Sequence, residues 1–263
     1  MISVRNKTMI TEPVWTSQAR RAACARPSRA WTRKPELYRP AKRAFDFAAA
    51  LLGAILASPV LLAIAIVVRL TSKGAIFYSQ ERLGQSGRVF RMYKFRTMAE
   101  GCERETGPVW SMPGDTRVTT VGKFLRRSHL DELPQLWNIL IGEMSLVGPR
   151  PERPEIAERL TLSIPDYPKR LASMPGLTGL AQVRLPPDTG LESARKKLAM
   201  DLKYAQLAGP WLDARLLACT ALFLAGVPFK ASCQIFSLPD RPSEFEISPA
   251  TTTLSTATGH GLA

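Results

Sequence analysis

The chain has 263 residues, 45% of them hydrophobic, and a net charge of +14. Its size suits one globular domain with an extra segment attached, and its charge favours anionic partners such as nucleic acid, anionic lipid headgroups or phosphorylated ligands. The four cysteines, Cys24, Cys102, Cys219 and Cys233, show no CxxC or Cys/His spacing; this argues against a zinc site and a disulfide framework, and they read as reduced cytosolic thiols.

Residues 1–41 read as a disordered basic leader. Within residues 1–43, eleven Lys and Arg face only Glu12 and Glu36, and the stretch has little apolar surface to bury. No secretory signal is seen, because the first apolar run begins only after this leader. Residues 47–68, FAAALLGAILASPVLLAIAIVV, are uncharged throughout, and about 20 such residues can span a bilayer as a helix. Pro59 removes one backbone donor and crowds the preceding turn, so a break is expected there. Ser58 is placed to cap or back-bond a carbonyl freed at that break. Lys42 and Arg43 precede the segment, and Arg69 and Lys73 follow it. The positive-inside rule would put both flanks in the cytoplasm, which a single crossing cannot supply. Residues 42–73 are therefore read as a re-entrant membrane helix–break–helix, against the plainer alternative of one kinked crossing helix.

Residues 74–230 read as a cytosolic domain. AIFYSQ and RVFRMYKFRTM flank ERLGQSG, a β-hairpin pattern with a Gly-bearing turn. GCERETGPVWSMPGD is loop, and TRVTTVGKFLRRS is a short helix with Val121, Phe124 and Leu125 on one face. In SHLDELPQLWN, Pro134 is tolerated only in a first helical turn, so a helix is expected from about Asp131 or Glu132. Its buried face would be Leu133, Leu136, Trp137 and Leu140. VGPRPERP is proline-set, MPGLTGLAQV opens with a Pro-Gly turn, and LESARKKLAMDLKYAQLA is an amphipathic helix. The apolar run from Trp211 is interrupted by Asp213 and Arg215, leaving an interfacial or core helix. Residues 231–263, rich in Pro, Ser and Thr, read as a disordered tail. The class that results is α+β and mostly helical.

An isolated Asp before a helix is most simply an N-cap, facing the positive end of the dipole and ionised. Here Glu132 is redundant for capping, and Arg126, Arg127 and Arg150 supply more cation than a cap needs. Arg150 lies between Pro149 and Pro151, which limits its backbone freedom, and arginine forks match phosphate oxygens bidentately. A carboxylate that attacks phosphorus needs such surroundings, together with a divalent cation.

In order, KRAFD, an apolar segment with SP, YKFRTM, DTRVTTVGKFLRRSHLDELPQLWNIL, GEMSLVGPRP and PGLTGLAQV closely resemble the bacterial sugar transferases, the monotopic polyprenyl-phosphate phosphoglycosyl transferases. The resemblance covers about Lys42 to Tyr204. It implies attack by Asp131 on the sugar-bearing phosphorus of a UDP-sugar, loss of UMP, and passage of the phosphosugar to polyprenyl phosphate. It also implies Mg2+ with Asp131 as ligand, and Glu132 in support of the metal or of proton traffic. Lys94, Arg126 and Arg150 match the family's phosphate-holding residues, and Arg96, Arg117 and Gln182 join that set. Ser58 and Pro59 match its membrane break. The implied location is the cytoplasmic face of a bacterial inner membrane, in contact with membrane lipids, with a homodimer left open. Two departures leave the sugar open: Met174 stands where the family often has a basic residue before PGLTG, and RLPPDTG follows the GLAQV run.

The rival readings are weaker. His129 and His260 make no ligand set, and His129 reads as a surface residue. RLGQSG lacks a P-loop lysine. A non-catalytic basic module would suit the leader, but few aromatics are interleaved with its arginines, so nucleic acid is not an expected partner. A closer rival would pass the phosphosugar to an acceptor other than a polyprenol.

Overall fold

The first helix, α1, runs from Tyr38 to Thr71, 34 residues and about 51 Å at 1.5 Å per residue. The computed structural model describes residues 37–102, 114–164, 166–186 and 190–240, so most of the expected leader, the tail from 241 and most of the 101–115 loop lie outside the described residues. Pro59 sits inside α1, and the expected break is not there. The donor that Pro59 lacks would have served the Ile55 carbonyl. Ser58 Oγ donates to that oxygen instead, at 2.7 Å, so the back-bond expected of Ser58 forms within a continuous helix.

Tyr38, Asp46, Ala50, Ile64 and Val68 are the buried positions of α1. Their spacing keeps one stripe turned toward the globular part on both sides of Pro59. Leu52, Ile55, Leu56, Leu62 and Ile66, by contrast, are exposed. Among the described residues, α1 alone is long and apolar enough to cross a membrane, by length and composition.

Both ends of α1 are tied to the same body. Tyr38 Oη and Lys42 Nζ donate to Asp213 Oδ2 at 2.8 and 2.7 Å, and Asp46 Oδ1 accepts from the Leu146 N–H at 3.2 Å. At the far end Ile64 and Val68 pack with Phe95 and Leu125. Lys42 and Arg43, read from sequence as a membrane flank, are used inside the fold. Arg43 Nη1 and Nη2 donate to the carbonyls of Ile139 and Leu140 at 2.5 and 2.7 Å.

The expected hairpin is present as β1 (Phe77–Leu83) and β2 (Val89–Phe95), antiparallel, with Phe77 opposite Phe95. Helix α2 (Thr120–Arg127) is capped by Thr119, whose hydroxyl accepts from the Gly122 N–H at 2.9 Å. Only part of its expected apolar face is buried. Leu125 is inside with Gly122, whereas Phe124, a helical step away, is 63% exposed.

The next helix also departs from expectation. A 3-10 turn covers Leu130–Glu132, and α3 spans Gln135–Ile141 with Pro134 as its N-cap. Gln135, Leu136, Asn138 and Ile139 are its buried residues, and Trp137 faces out. The reason lies in Asn138. Its Oδ1 accepts from the Tyr93 N–H at 3.1 Å, and its Nδ2 donates to the Arg91 carbonyl and to Glu143 Oε2, both at 2.7 Å. With its polar atoms paired, a buried amide costs little, and its place on the inner face rotates Trp137 outward.

A second sheet was not foreseen. Strands β3 (Ser145–Val147) and β4 (Gly176–Thr178) pair in parallel, bringing VGPRP beside PGLTG. The backbones nearly touch: a Cβ on Gly148 would lie 2.2 Å from the Met174 carbonyl oxygen, and one on Gly176 2.1 Å from the Gly148 nitrogen. Only glycine fits such a crossing. Helices α4 (Pro154–Ser163), α5 (Leu180–Arg184), α6 (Leu191–Leu207), α7 (Pro210–Leu224) and α8 (Phe229–Ile235) complete the described fold. Leu198, Met200 and Leu216 lie at its centre. Helix α8 and buried Leu238 carry ordered packing beyond residue 231, where the sequence suggests a tail. Cys219 and Cys233, well separated in sequence, meet across α7 and α8 with their sulfurs 3.9 Å apart.

Candidate active site

The acid pair sits on the 3-10 turn between α2 and α3. His129 enters it with φ +56°, a left-handed conformation uncommon for a side-chain-bearing residue. The His129 ring rests 5.5 Å, centroid to centroid, from Phe223 of α7, and the side chain is otherwise exposed, as read from sequence.

The two acids have opposite surroundings. Glu132 is fully engaged: Lys94 Nζ donates to its Oε1 at 2.7 Å, and Arg150 forks across both oxygens at 2.5 and 3.2 Å. Burial alone would raise its pKa, but Arg150 and Lys94 outweigh burial and hold the carboxyl well below the usual range. Its charge in turn raises the pKa of Arg150. Burial depresses the pKa of Lys94 in spite of Glu132.

Asp131 is 6% exposed, and no hydrogen bond or ion pair to a described residue engages its carboxylate. It caps nothing, which corrects the N-cap reading. Burial raises its pKa, with Glu132 acting in the same direction and Lys94, Arg126 and Arg150 against it. The dipole-ionised cap expected from sequence is therefore a desolvated carboxyl beside three cations. A carboxylate with free oxygens among fixed cations can attack an electrophile or bind a cation. Glu132, with both oxygens taken, is better suited to orienting Lys94 and Arg150.

The other expected residues divide in two. Lys94, Arg126 and Arg150 converge on the acid pair, with Arg126 further held through Nε to Thr97 Oγ1 at 2.8 Å. Arg96 points elsewhere: it is buried and donates to the carbonyl and hydroxyl of Ser72, at the end of α1. Arg117 forks onto Asp115. Gln182, on α5, donates to the Leu177 carbonyl of the preceding strand β4 at 2.8 Å. None of these three is bonded to the acid pair. Sequence reasoning missed Arg170, Asp201, Arg82 and Asn138. For Asp201 a signal existed, since a lone acid between Met200 and Leu202 breaks an otherwise apolar helix face.

The family model described as bacterial sugar transferase matches residues 37–226. The chain belongs to the bacterial sugar transferase family. Among its relatives, a UDP-N-acetylgalactosamine-undecaprenyl-phosphate N-acetylgalactosaminephosphotransferase of Aeromonas hydrophila is 40% identical over 67% of this chain and 42% of its own length. A UDP-glucose:undecaprenyl-phosphate glucose-1-phosphate transferase of Klebsiella pneumoniae is 42% identical over 68% of this chain and 39% of its own. The chain thus spans about two fifths of these two relatives. A UDP-glucose:undecaprenyl-phosphate glucose-1-phosphate transferase of Caulobacter vibrioides is 43% identical over 68% of this chain and 67% of its own length.

In this chain the donor set for a divalent cation is small. No group of three or more His, Cys, Asp or Glu that could hold a metal occurs among the described residues. With Glu132 occupied, Asp131 is the acid of the pair with oxygens to offer. That suits Mg2+, which keeps several waters and is often held by one or two carboxylates plus substrate phosphates.

Proposed function

We propose that this sugar transferase moves a sugar 1-phosphate from a UDP-sugar to polyprenyl phosphate and releases UMP. The observation that carries this reading is the Asp131 carboxylate, bonded to no described residue and set beside Lys94, Arg126 and Arg150, in a chain of this family. In the first step an Asp131 oxygen forms a bond to the sugar-bearing phosphorus. The bond from that phosphorus to the bridging oxygen breaks, and UMP leaves with the electron pair. In the second, a phosphate oxygen of the polyprenol attacks the same phosphorus and displaces the Asp131 carboxylate. Arg150 and Lys94, oriented by Glu132, and Arg126 hold the negative oxygens as charge shifts toward the leaving group. Mg2+, held by Asp131, would reduce the repulsion between diphosphate and carboxylate. The UDP-sugar and undecaprenyl-phosphate substrates named for the relatives support the donor and acceptor classes. The product begins a membrane-bound glycan such as exopolysaccharide, O-antigen or a glycoprotein glycan.

The same reading puts the chain on the cytoplasmic face of the inner membrane as a monotopic protein. Two features support it. One end of α1 is hydrogen-bonded to the globular body and the other is packed against it, and the helix face turned from that body is apolar. A simple crossing would separate those ends by about 30 Å of hydrocarbon.

The test is an acceptor-free incubation of the full chain with a panel of UDP-sugars. UMP should appear up to one equivalent per protein, with phosphosugar attached at Asp131, and polyprenyl phosphate should then restore turnover. If UMP forms only when polyprenyl phosphate is present, direct transfer replaces the covalent route. If a different acceptor is required, the polyprenol assignment is wrong.

A further inference from the structure

Behind Arg150 lies a second group of charges that the proposed reaction does not use. Pro149 and Pro151 have no N–H, so the strap from Gly148 to Glu152 is gripped largely by its carbonyls. Those of Pro149, Arg150, Pro151 and Glu152 accept in turn from the Gly176 N–H at 2.9 Å, Arg170 Nη2 at 2.8 Å, Arg82 Nη1 at 3.1 Å and the Leu83 N–H at 2.9 Å. The bond to Arg150 comes from a side chain with 2% of its surface exposed.

Arg170 is itself tightly fixed. Its Nε and Nη2 reach Asp201 Oδ2 at 2.9 and 2.6 Å, and Nη1 donates to the Tyr167 hydroxyl at 2.7 Å. Burial disfavours its charge, but Asp201 and Tyr167 more than compensate and raise the pKa, so it stays charged. Arg150 is thus held at both ends: Glu132 takes the guanidinium and Arg170 takes the carbonyl of the same residue.

We propose that Arg170, braced by Asp201, is a positioning residue for the phosphate-holding Arg150. The inference rests on the role given to Arg150 above. A fold needing only stability gains little from a buried ion pair, since well-packed apolar groups of similar volume often do as well. Three acceptors in different directions, however, suit a planar five-donor fork and not an ammonium. Arg170→Lys keeps the charge beside Asp201 but cannot also reach both Tyr167 and the Arg150 carbonyl.

The test compares full-length Arg170→Lys, Arg150→Lys and the double variant in UMP release, with thermal unfolding measured alongside. Loss of one charge-assisted bond behind Arg150 should lower kcat about tenfold in Arg170→Lys, with the donor KM changed less than about twofold. In the Arg150→Lys background the same change should cost almost nothing more, because the group it positions is already gone. A merely structural Arg170 would give equal losses in both backgrounds, and that result overturns the proposal, as does parent-like turnover of Arg170→Lys. Should Arg170→Lys not fold, Tyr167→Phe decides. A kcat loss of about threefold that vanishes in Arg150→Lys supports the proposal, and an unchanged kcat overturns it. Unimpaired Arg150→Lys refutes the role of Arg150 and this inference together. Impaired Arg150→Lys beside unimpaired Arg170→Lys refutes this inference alone.

Discussion

Asp131 and Glu132 are adjacent in sequence and opposite in situation, and this makes their substitutions diverge. Asp131 is desolvated, and no described residue is bonded to its carboxylate, so Asp131→Asn removes a strained charge and no bond. Its melting temperature should equal or exceed that of the parent, while turnover falls about 10⁴-fold or more, as expected for a lost nucleophile. Glu132→Gln withdraws the counter-charge of two largely buried cations and should cost about 3 kcal/mol of stability. It should still accept some phosphosugar. Thermal melts and acceptor-free labelling of the two variants check the contrast. A destabilised Asp131→Asn with an unaffected Glu132→Gln would mean that the roles are reversed.

At the scale of elements, the strap from β3 to α4 is pinned to the hairpin by an ion pair between Arg82 and Glu152, 3.3 Å apart. Burial works against the Glu152 charge, yet Lys197, Arg82 and Arg170 hold its pKa below the usual value. A carboxyl with a depressed folded pKa stabilises fully above its unfolded pKa, about 4.3 for Glu, and that stability is lost as pH falls through the folded value. Glu152→Gln should therefore lower the melting temperature at pH 7, and the gap to the parent should narrow as the pH drops below about 4. A gap independent of pH would show that the ion pair contributes nothing.

The hairpin, the short helix after it and the long amphipathic helix could be read from periodicity and turn residues. The outward turn of Trp137 could not, because it follows from Asn138 meeting the edge of β2, a contact made 45 residues away. The pairing of β3 with β4 was hidden for a similar reason. Three-residue strands have too little pattern to detect, and only the glycines at 148 and 176 mark them. In the site, Lys94, Arg126 and Arg150 were legible from resemblance and charge. Arg170 was not, because nothing local in DYPKRL distinguishes a buried arginine from an exposed one.

For the molecule as a whole, the main departure from the sequence reading is the continuity of α1 through Pro59. Its ends are fastened at Asp213 on one side and beside Phe95 and Leu125 on the other, so both should lie on the same side of the bilayer. Single cysteines introduced at Thr32 and at Lys73, in a background without the native thiols, should be equally shielded from an impermeant reagent outside the cell. Labelling of one position alone would establish a crossing helix. Removing the proline is informative too: Pro59→Ala restores the missing donor, and if the same-side arrangement depends on the docked stripe and not on a bend, the labelling should not change.

The close passage of Gly148 over Gly176 also limits how such proteins can be recombined. With a side-chain carbon on either residue excluded at about 2 Å, the two backbones form a matched joint, each shaped to the path of the other. A hybrid that takes VGPRP from one sugar transferase and PGLTG from another would combine halves fitted to different counterparts. Grafts meant to alter donor preference should therefore move residues 144–184 as a single cassette, with the splice points outside the joint.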